Sequence, residues 1–512
     1  MKTTKLFFMA ALALMTAACS NNDNDILTPA EQPASNMVTI TAKLAPKSSV
    51  SGTRKLTDQS TSIKAEWAAT ETMKIISANG KEATATVNSV DGSGTATISF
   101  TIDAAAVGQN CTIIYPASAA VAESAGVYTA QPMTAQTGTL SNDLDVRIGK
   151  GTISDATTLD VTTQPAAQFA IMKLTLANDA KNLCIMADNI TIAGATLGTE
   201  GKEFTVAVPE VSSKPVTIVA NDESNNCYYY SKTGVTIAAG KYYQSSPTMT
   251  ALDEDFSKPL YKITATSGVT IPSGGKTVVL SGVNISSGSI TCNGSVTMIL
   301  MGDNKVTATD EKAAIKICED QYTTLTITGS GSLTAKGGNY AAGIGTGDAP
   351  TGGTIGGAIT INGGTVTATG GVSGAGIGTG DAYNGNNSCG AITINGGTVT
   401  ATGGTKAAGI GTGYSMMNGS NNTHGNITIG TGVTSVKATK GSDSPNSIGK
   451  GSTFISGGGT PTYGTITFGS AQVFDGSAWS PTTMVAGTYG GLTLAISTTT
   501  NTDDTWTLTP AP

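Results

Sequence analysis

Two segments of this chain, 33 residues apart, carry almost the same text. Ala358-Ile-Thr-Ile-Asn-Gly-Gly-Thr-Val-Thr-Ala-Thr-Gly370 returns as Ala391-Ile-Thr-Ile-Asn-Gly-Gly-Thr-Val-Thr-Ala-Thr-Gly403, and Ala-Gly-Ile-Gly-Thr-Gly follows each copy, at 375–380 and 408–413. Self-similarity at a fixed period marks a solenoid, in which one unit cannot bury its apolar face alone and stacks on its neighbours. Within a copy the aliphatic residues alternate, Ile359 with Ile361 and Val366 with Ala368, which predicts strands with one face inward. Gly363-Gly364 and Gly370-Gly371 mark corners, because glycine takes a positive φ at little steric cost.

Looser copies extend both ways. Upstream stand Leu325-Thr-Ile327, Leu333-Thr-Ala335 and Ala341-Ala-Gly-Ile-Gly-Thr-Gly347, preceded by Val296-Thr-Met298, Val306-Thr-Ala308 and Ala313-Ala-Ile315. Downstream stand Ile427-Thr-Ile429, Val436-Lys-Ala438, Ile448-Gly-Lys-Gly451 and Ile466-Thr-Phe468. Three short strands per turn predict a right-handed parallel β-helix over 258–475. About seven turns at about 4.8 Å give a rod on the order of 30 Å.

Heavy glycine use (65 residues), 12% charged residues and one histidine fit an all-β extracellular protein. The leader supports export. Lys2 and Lys5 precede the apolar run 6–15, too short for a permanent span, and Thr16-Ala-Ala-Cys19 ends it. Residues 1–18 are thus expected to be a cleaved signal, whose loss takes the net charge from −7 to −7 − 2 = −9. Small residues before Cys19 resemble a bacterial lipobox, which implies lipidation of Cys19 and anchoring at the outer membrane; the alternative is an ordinary secreted protein. Residues 19–36 read as a flexible tether. No basic patch appears, which argues against a nucleic-acid partner. The six cysteines beyond Cys19 show no metal spacing, and buried thiols are expected, although Cys292 and Cys318 are placed to stack in neighbouring turns.

Residues 37–250 lack the glycine repeat and show short alternating strands with turns between them, which suggests two β-sandwiches, at 37–147 and 148–250. Residues 38–44, Thr53-Arg54, Trp67, Tyr115-Pro116 and the closing Ala239-Gly-Lys-Tyr-Tyr243 resemble, in this order, the fimbrillin family of lipoprotein pilins. The resemblance covers about 200 residues. It implies two transthyretin-like sandwiches and a trypsin-like cut after Arg54 that removes the first strand. A strand of another pilin subunit would fill the slot by donor-strand exchange. The alternative leaves Arg54 as a solvated loop residue.

The rod resembles a second family, the β-helical carbohydrate-binding domains of bacterial surface proteins. The resemblance rests on Leu280-Ser-Gly-Val-Asn-Ile285, Met298-Ile-Leu-Met-Gly302 and Leu325-Thr-Ile-Thr-Gly-Ser-Gly-Ser-Leu333. It implies glycan binding, with calcium as the one conceivable cofactor. Thr365, Thr367 and Thr369 are expected to face outward in line with Thr398, Thr400 and Thr402, as a hydroxyl array for a sugar chain, as an array of the kind found in ice-binding solenoids, or as ordinary exposed threonines. Tyr340, Tyr383 and Tyr414 are candidates for stacking on sugar rings. Asp348 and Asp381, one period apart, are candidate calcium ligands, with a solvated loop face as the alternative.

Catalysis is poorly supported. A β-helix lyase needs a basic residue beside calcium-binding carboxylates, and 262–470 holds few acids and no arginine. A glycosidase needs a convergent carboxylate pair, and no turn stacks one on a single face. His424 reads as a solvated loop residue. The Gly-Ile-Gly-Thr-Gly phrases precede no helix and so are not phosphate cradles. Residues 476–512 read as C-terminal strands capping the rod. A non-catalytic adhesin at a pilus tip or as an accessory subunit is the leading expectation, with a polysaccharide lyase or hydrolase and a purely structural stalk as alternatives.

Overall fold

The computed structural model describes residues 37–511 apart from 46–56, 59–62, 125, 134, 189, 310, 318–321, 350–352, 384, 417–421, 455–462, 481–483 and 499–503. Cys19, Arg54 and Cys318 lie outside the described residues. The rest is all-β, with two short 3-10 turns at Ala104–Ala106 and Asn142–Leu144.

The C-terminal half is a β-helix. Its first column stacks Leu260–Ile263, Lys276–Ser281, Val296–Met301, Thr324–Gly329, Ala358–Ile361, Ile392–Ile394, Ile427–Ile429 and Ile466–Phe468, all parallel. These strands make one layer more than the glycine repeat indicates, because the first turn lacks the repeated phrases. A second column runs Asn284–Ile285, Asp303–Thr307, Ser332–Lys336, Thr365–Thr369, Gly397–Thr402 and Val433–Thr439. A third runs Val269–Ile271, Ile290–Cys292, Ile315–Ile317, Ile344–Gly345, Ile377–Gly378, Ile410–Gly411 and Ile448–Gly449. A short fourth column, absent from the sequence reading, joins Thr354–Ile355, Asn387–Cys389 and Asn422–His424.

Like residues stack on like inside the rod. Ile361 pairs with Ile394 and Ile394 with Ile429. Val366, Val399 and Val436 form another file, and Ile344, Ile377, Ile410 and Ile448 a third; all are fully buried. Burying each such side chain contributes about 1.5–3 kcal/mol.

The Gly-Ile-Gly-Thr-Gly phrase is structural at every position the stack tests. Gly345, Gly378, Gly411 and Gly449 have φ of +138°, +137°, +132° and +123°. A methyl on Gly378 would lie 1.7 Å from the Gly411 carbonyl oxygen of the next turn. The buried Thr346, Thr379 and Thr412 hydroxyls accept hydrogen bonds from Gly380, Gly413 and Gly451 N–H, at 3.0, 3.0 and 2.8 Å. These N–H groups are therefore engaged within the rod and do not face a ligand.

Antiparallel strands close the far end of the rod. Ala471–Phe474 pairs with Ile466–Phe468, and Asp504–Pro510 pairs with Val433–Thr439, followed outward by Leu492–Thr498 and Gly487–Tyr489. Phe468, Phe474, Trp479 and Trp506 interlock there, with ring centroids 5.1–6.3 Å apart.

Preceding the rod, a seven-stranded sheet has the order Met37–Leu44, Ala96–Asp103, Glu82–Val90, Thr72–Ser77, Asn110–Tyr115, Arg147–Ile153 and Leu159–Ala167. Its outer strands meet, since Thr41 N–H donates to the Thr157 carbonyl at 2.9 Å. The boundary between the N-terminal units therefore falls after Ala167 and not at 147/148. The strands Arg147–Ile153 and Leu159–Ala167 fall to the second unit in the sequence reading, because Gly149 and Gly151 dilute the alternation. Those glycines are required: a methyl on either would lie 2.7–2.8 Å from atoms of the partner strand.

The second unit is built on the long strands Phe169–Ala187 and Ile190–Pro209, whose mutual register breaks between Thr175 and Asn182. Val211–Asn221, Cys227–Ile237 and Thr250–Ala251 extend one part of this sheet, and Tyr242–Ser245 pairs parallel with Phe169–Ala187.

This unit packs on the outside of the first rod column. Cys184, Met186, Val219, Cys227 and Leu252 bury Val279, Ile299 and Met301. That contact explains the unbroken apolar runs Val278-Val-Leu280 and Met298-Ile-Leu-Met301, because a strand covered on both faces has no polar alternation. A polar chain borders the contact: Asn182 Nδ2 donates to Asn221 Oδ1 at 2.9 Å, and Asn221 Nδ2 donates to Ser281 Oγ at 2.9 Å.

Candidate functional site

The outward face of the second rod column is three parallel files of polar side chains. Asp303, Ser332, Thr365, Thr398 and Ser435 form the first. Lys305, Thr334, Thr367, Thr400 and Lys437 form the second, and Thr307, Lys336, Thr369, Thr402 and Thr439 the third. Thr365 is exposed, while Thr367, Thr369, Thr398, Thr400 and Thr402 are half-buried with free flanks. Their backbones are consumed by the ladder, so what the face offers a ligand is hydroxyls at about 4.8 Å intervals along the axis.

Beside the third file runs a trough of about 640 Å³, lined by Thr307, Lys336, Asn339, Thr402, Thr405 and Lys440 among others. Paired glycines at 337–338, 370–371 and 403–404 form its floor, so main chain and not side chain sets its depth. Lysines stand along face and trough at 305, 336, 437 and 440, and the acid of the first file, Asp303, accepts from Ser332 Oγ at 2.7 Å. This is a basic strip on a chain of net charge −7.

The three tyrosines do not act together. Tyr340 and Tyr383 are 41% and 44% exposed, whereas Tyr414 is 3% exposed beneath Lys406 Nζ, 4.2 Å from its ring centre. Tyr414 is thus removed from the stacking platform; it fills the corner that Asp348 and Asp381 occupy in earlier turns. Asp381 is likewise not on a solvated loop face. It is 2% exposed, and burial, then the charge of Asp348, raises its carboxyl to about 7.

His424 is no solvated loop residue either. It ends the strand Asn422–His424, is 5% exposed, and stacks on Tyr463 and Phe474 at 5.5 and 6.1 Å. Burial lowers its pKa. Its place is in the aromatic end of the rod, away from the trough. Among the described residues no three His, Cys, Asp or Glu side chains gather closely enough to hold a metal. Cys111, Cys184, Cys227, Cys292 and Cys389 are buried, and Cys292 stacks between Ile271 and Ile317.

A further hydroxyl file went unread in the sequence. Thr277, Thr297, Thr326, Thr360, Thr393, Thr428 and Thr467 stack in unbroken register on the first column. Its signal is the central threonine of each Ile-Thr-Ile phrase. The early members lie beside the docked second unit, since Thr191 and Thr328 hydroxyls bond across that contact.

A family model described as a beta helix repeat matches residues 325–348, 359–381 and 392–414. These are three successive turns of the rod. No curated protein matches the chain.

Proposed function

We propose that this chain is a non-catalytic cell-surface adhesin that binds a glycan along the second rod column and its trough. The observation that carries this reading is the uncovered threonine face, continuous over several turns and bordered by a groove long enough for several sugar units. Hydroxyls both donate and accept, so a ladder of them suits the hydroxyl-rich edge of a saccharide chain. Binding sites of this kind use few fixed polar groups on a preformed surface.

The same reading assigns the N-terminal units to the fimbrillin type, with transthyretin-like topology, lipidation at Cys19 and a role at a pilus tip or as an accessory subunit. The first strand supports it. Met37–Leu44 lies between Ala96–Asp103 and the Thr157 region, and sends Ile40, Ala42 and Leu44 into the core. Its removal after a cut at Arg54 would leave unpaired backbone groups and an apolar slot for a partner's strand.

A glycan array probed with the full chain tests the binding reading. A glycan should be retained by wild type and lost on the combined change Thr367→Val, Thr400→Val and Lys336→Ala, which keeps β-propensity. An array without any bound glycan would reject it in favour of a stalk. For the first strand, N-terminal sequencing of assembled material should begin at residue 55; strand 37–44 retained in assembled pili rejects the cut.

A further inference from the structure

The positive charges of the threonine face stand at its two ends. In the second file Lys305 and Lys437, four layers or about 19 Å apart, bracket Thr334, Thr367 and Thr400. Lys336, in the third file, joins the Lys305 end, and Lys440, which lines the trough, lies on the turn of Lys437. Lys305, Lys336 and Lys437 are exposed, and among the described residues none of them is paired with an acid. Neither file contains an acid, and none lines the trough. The acids at its margins are held locally: Asp303 accepts from Ser332 Oγ at 2.7 Å and Asp443 from Ser442 Oγ at 3.3 Å.

The middle of the trough has no second means of holding an anion. Main-chain N–H groups of glycine-rich turns can cradle a negative group. Here they are spent on the rod: Gly337 donates to the Thr369 carbonyl, Gly370 to Thr402 and Gly403 to Thr439, each at 2.9 Å. Gly371 and Gly404, the second members of their pairs, donate to Ala341 and Gly374, also at 2.9 Å. Hydroxyls are what remains between the lysines, and they suit neutral sugars. A carboxylate or sulfate set there would lose water without gaining a counter-charge, which is costly. At either end it meets lysine, on a chain whose net charge of −7 repels it elsewhere.

We propose that the ligand of this face is an acidic heteroglycan. Sugars bearing a carboxylate or sulfate meet Lys305 and Lys336 at one end and Lys437 at the other, and neutral sugars lie on the threonines between. The inference rests on the glycan reading above and adds the class of glycan to it.

An array probed with the full chain tests it, carrying neutral glycans, glycans with an acid on every sugar, and glycans whose acidic sugars are separated by neutral ones. The last class should be retained most strongly. Reducing its carboxylates to alcohols, or removing its sulfates, should weaken binding by wild type at least about fivefold, as should raising salt from about 0.01 M to about 1 M. The combined change Lys305→Gln, Lys336→Gln and Lys437→Gln should bind charged and neutralised forms alike, with an unfolding midpoint equal to that of wild type. Equal binding of the two forms by wild type, or a preference for neutral glycans, overturns the inference and leaves the glycan reading standing. A preference for chains acidic at every sugar overturns it too, and an array with no bound glycan overturns both.

Discussion

Replacing Gly378 by alanine isolates what the tight glycine phrase does. The residue sits at φ +137°, where an alanine costs about 2 kcal/mol in backbone strain. Its methyl would fall 1.7 Å from the Gly411 carbonyl oxygen, and forcing packed turns apart adds about 2 kcal/mol. That carbonyl accepts the Thr379 N–H at 3.1 Å, and loosening the bond adds about 1 kcal/mol. Gly378→Ala should therefore cost roughly 5 kcal/mol. Gly275→Ala is the control: φ is +67° and nothing lies within 4 Å of the new methyl, so only about 1 kcal/mol of backbone strain remains. Urea unfolding of the full chain in a Trp67→Phe background reads the rod through Trp479 and Trp506 at its end. If the two variants fall within about 1 kcal/mol of each other, turn-to-turn contact is not the reason for glycine.

Further expectations concern the core, the corner, the cap and the docked unit. Ile394→Ala, between Ile361 and Ile429, should cost about 2–5 kcal/mol in the same assay. Asp381 has a folded pKa of about 7, above its ordinary 3.8, so its neutral form favours folding at low pH and the benefit is lost as pH rises through 7. Asp381→Asn should accordingly match wild type near pH 4 and gain on it progressively towards pH 8; parallel melting curves would refute the burial argument. Burial holds the His424 pKa below its ordinary 6.5, so the unfolded chain binds the proton more readily and stability should fall as pH drops below 6.5. A His424→Gln chain should lose that dependence when Trp479 and Trp506 fluorescence is followed. Ile299→Ser should loosen the second unit from the rod, read as a larger radius in small-angle scattering.

The rod was legible because its signal is periodic in two ways, alternation within strands and repetition between turns. Either alone is ambiguous, but Ile361 above Ile394 follows from both. The fourth column was not legible, because Thr354–Ile355, Asn387–Cys389 and Asn422–His424 share only an asparagine between two of them. Asn387 and Asn422 are buried and donate to main-chain carbonyls of their own turn and of the next. A polar residue satisfied in this way looks like loop chemistry in sequence. The same cause misplaced His424, Asp381 and Tyr414, all flanked by glycine and polar residues yet enclosed by the next turn. Burial in a solenoid comes from the layer above, some thirty residues away, and local composition does not report it. The N-terminal boundary was lost for a related reason: glycines required by close strand contact mimic a break between units.

The stacking of near-identical turns also bears on how such a chain changes over generations. Both ends of the rod are specialised, one by the docked unit and the other by the aromatic cap, while the two most similar turns lie between them. Copying a whole turn in that middle region would lengthen the column by one layer and leave both terminal contacts as they were. The length of the rod can thus be adjusted in fixed steps by recombination within the coding sequence, without inventing a new core.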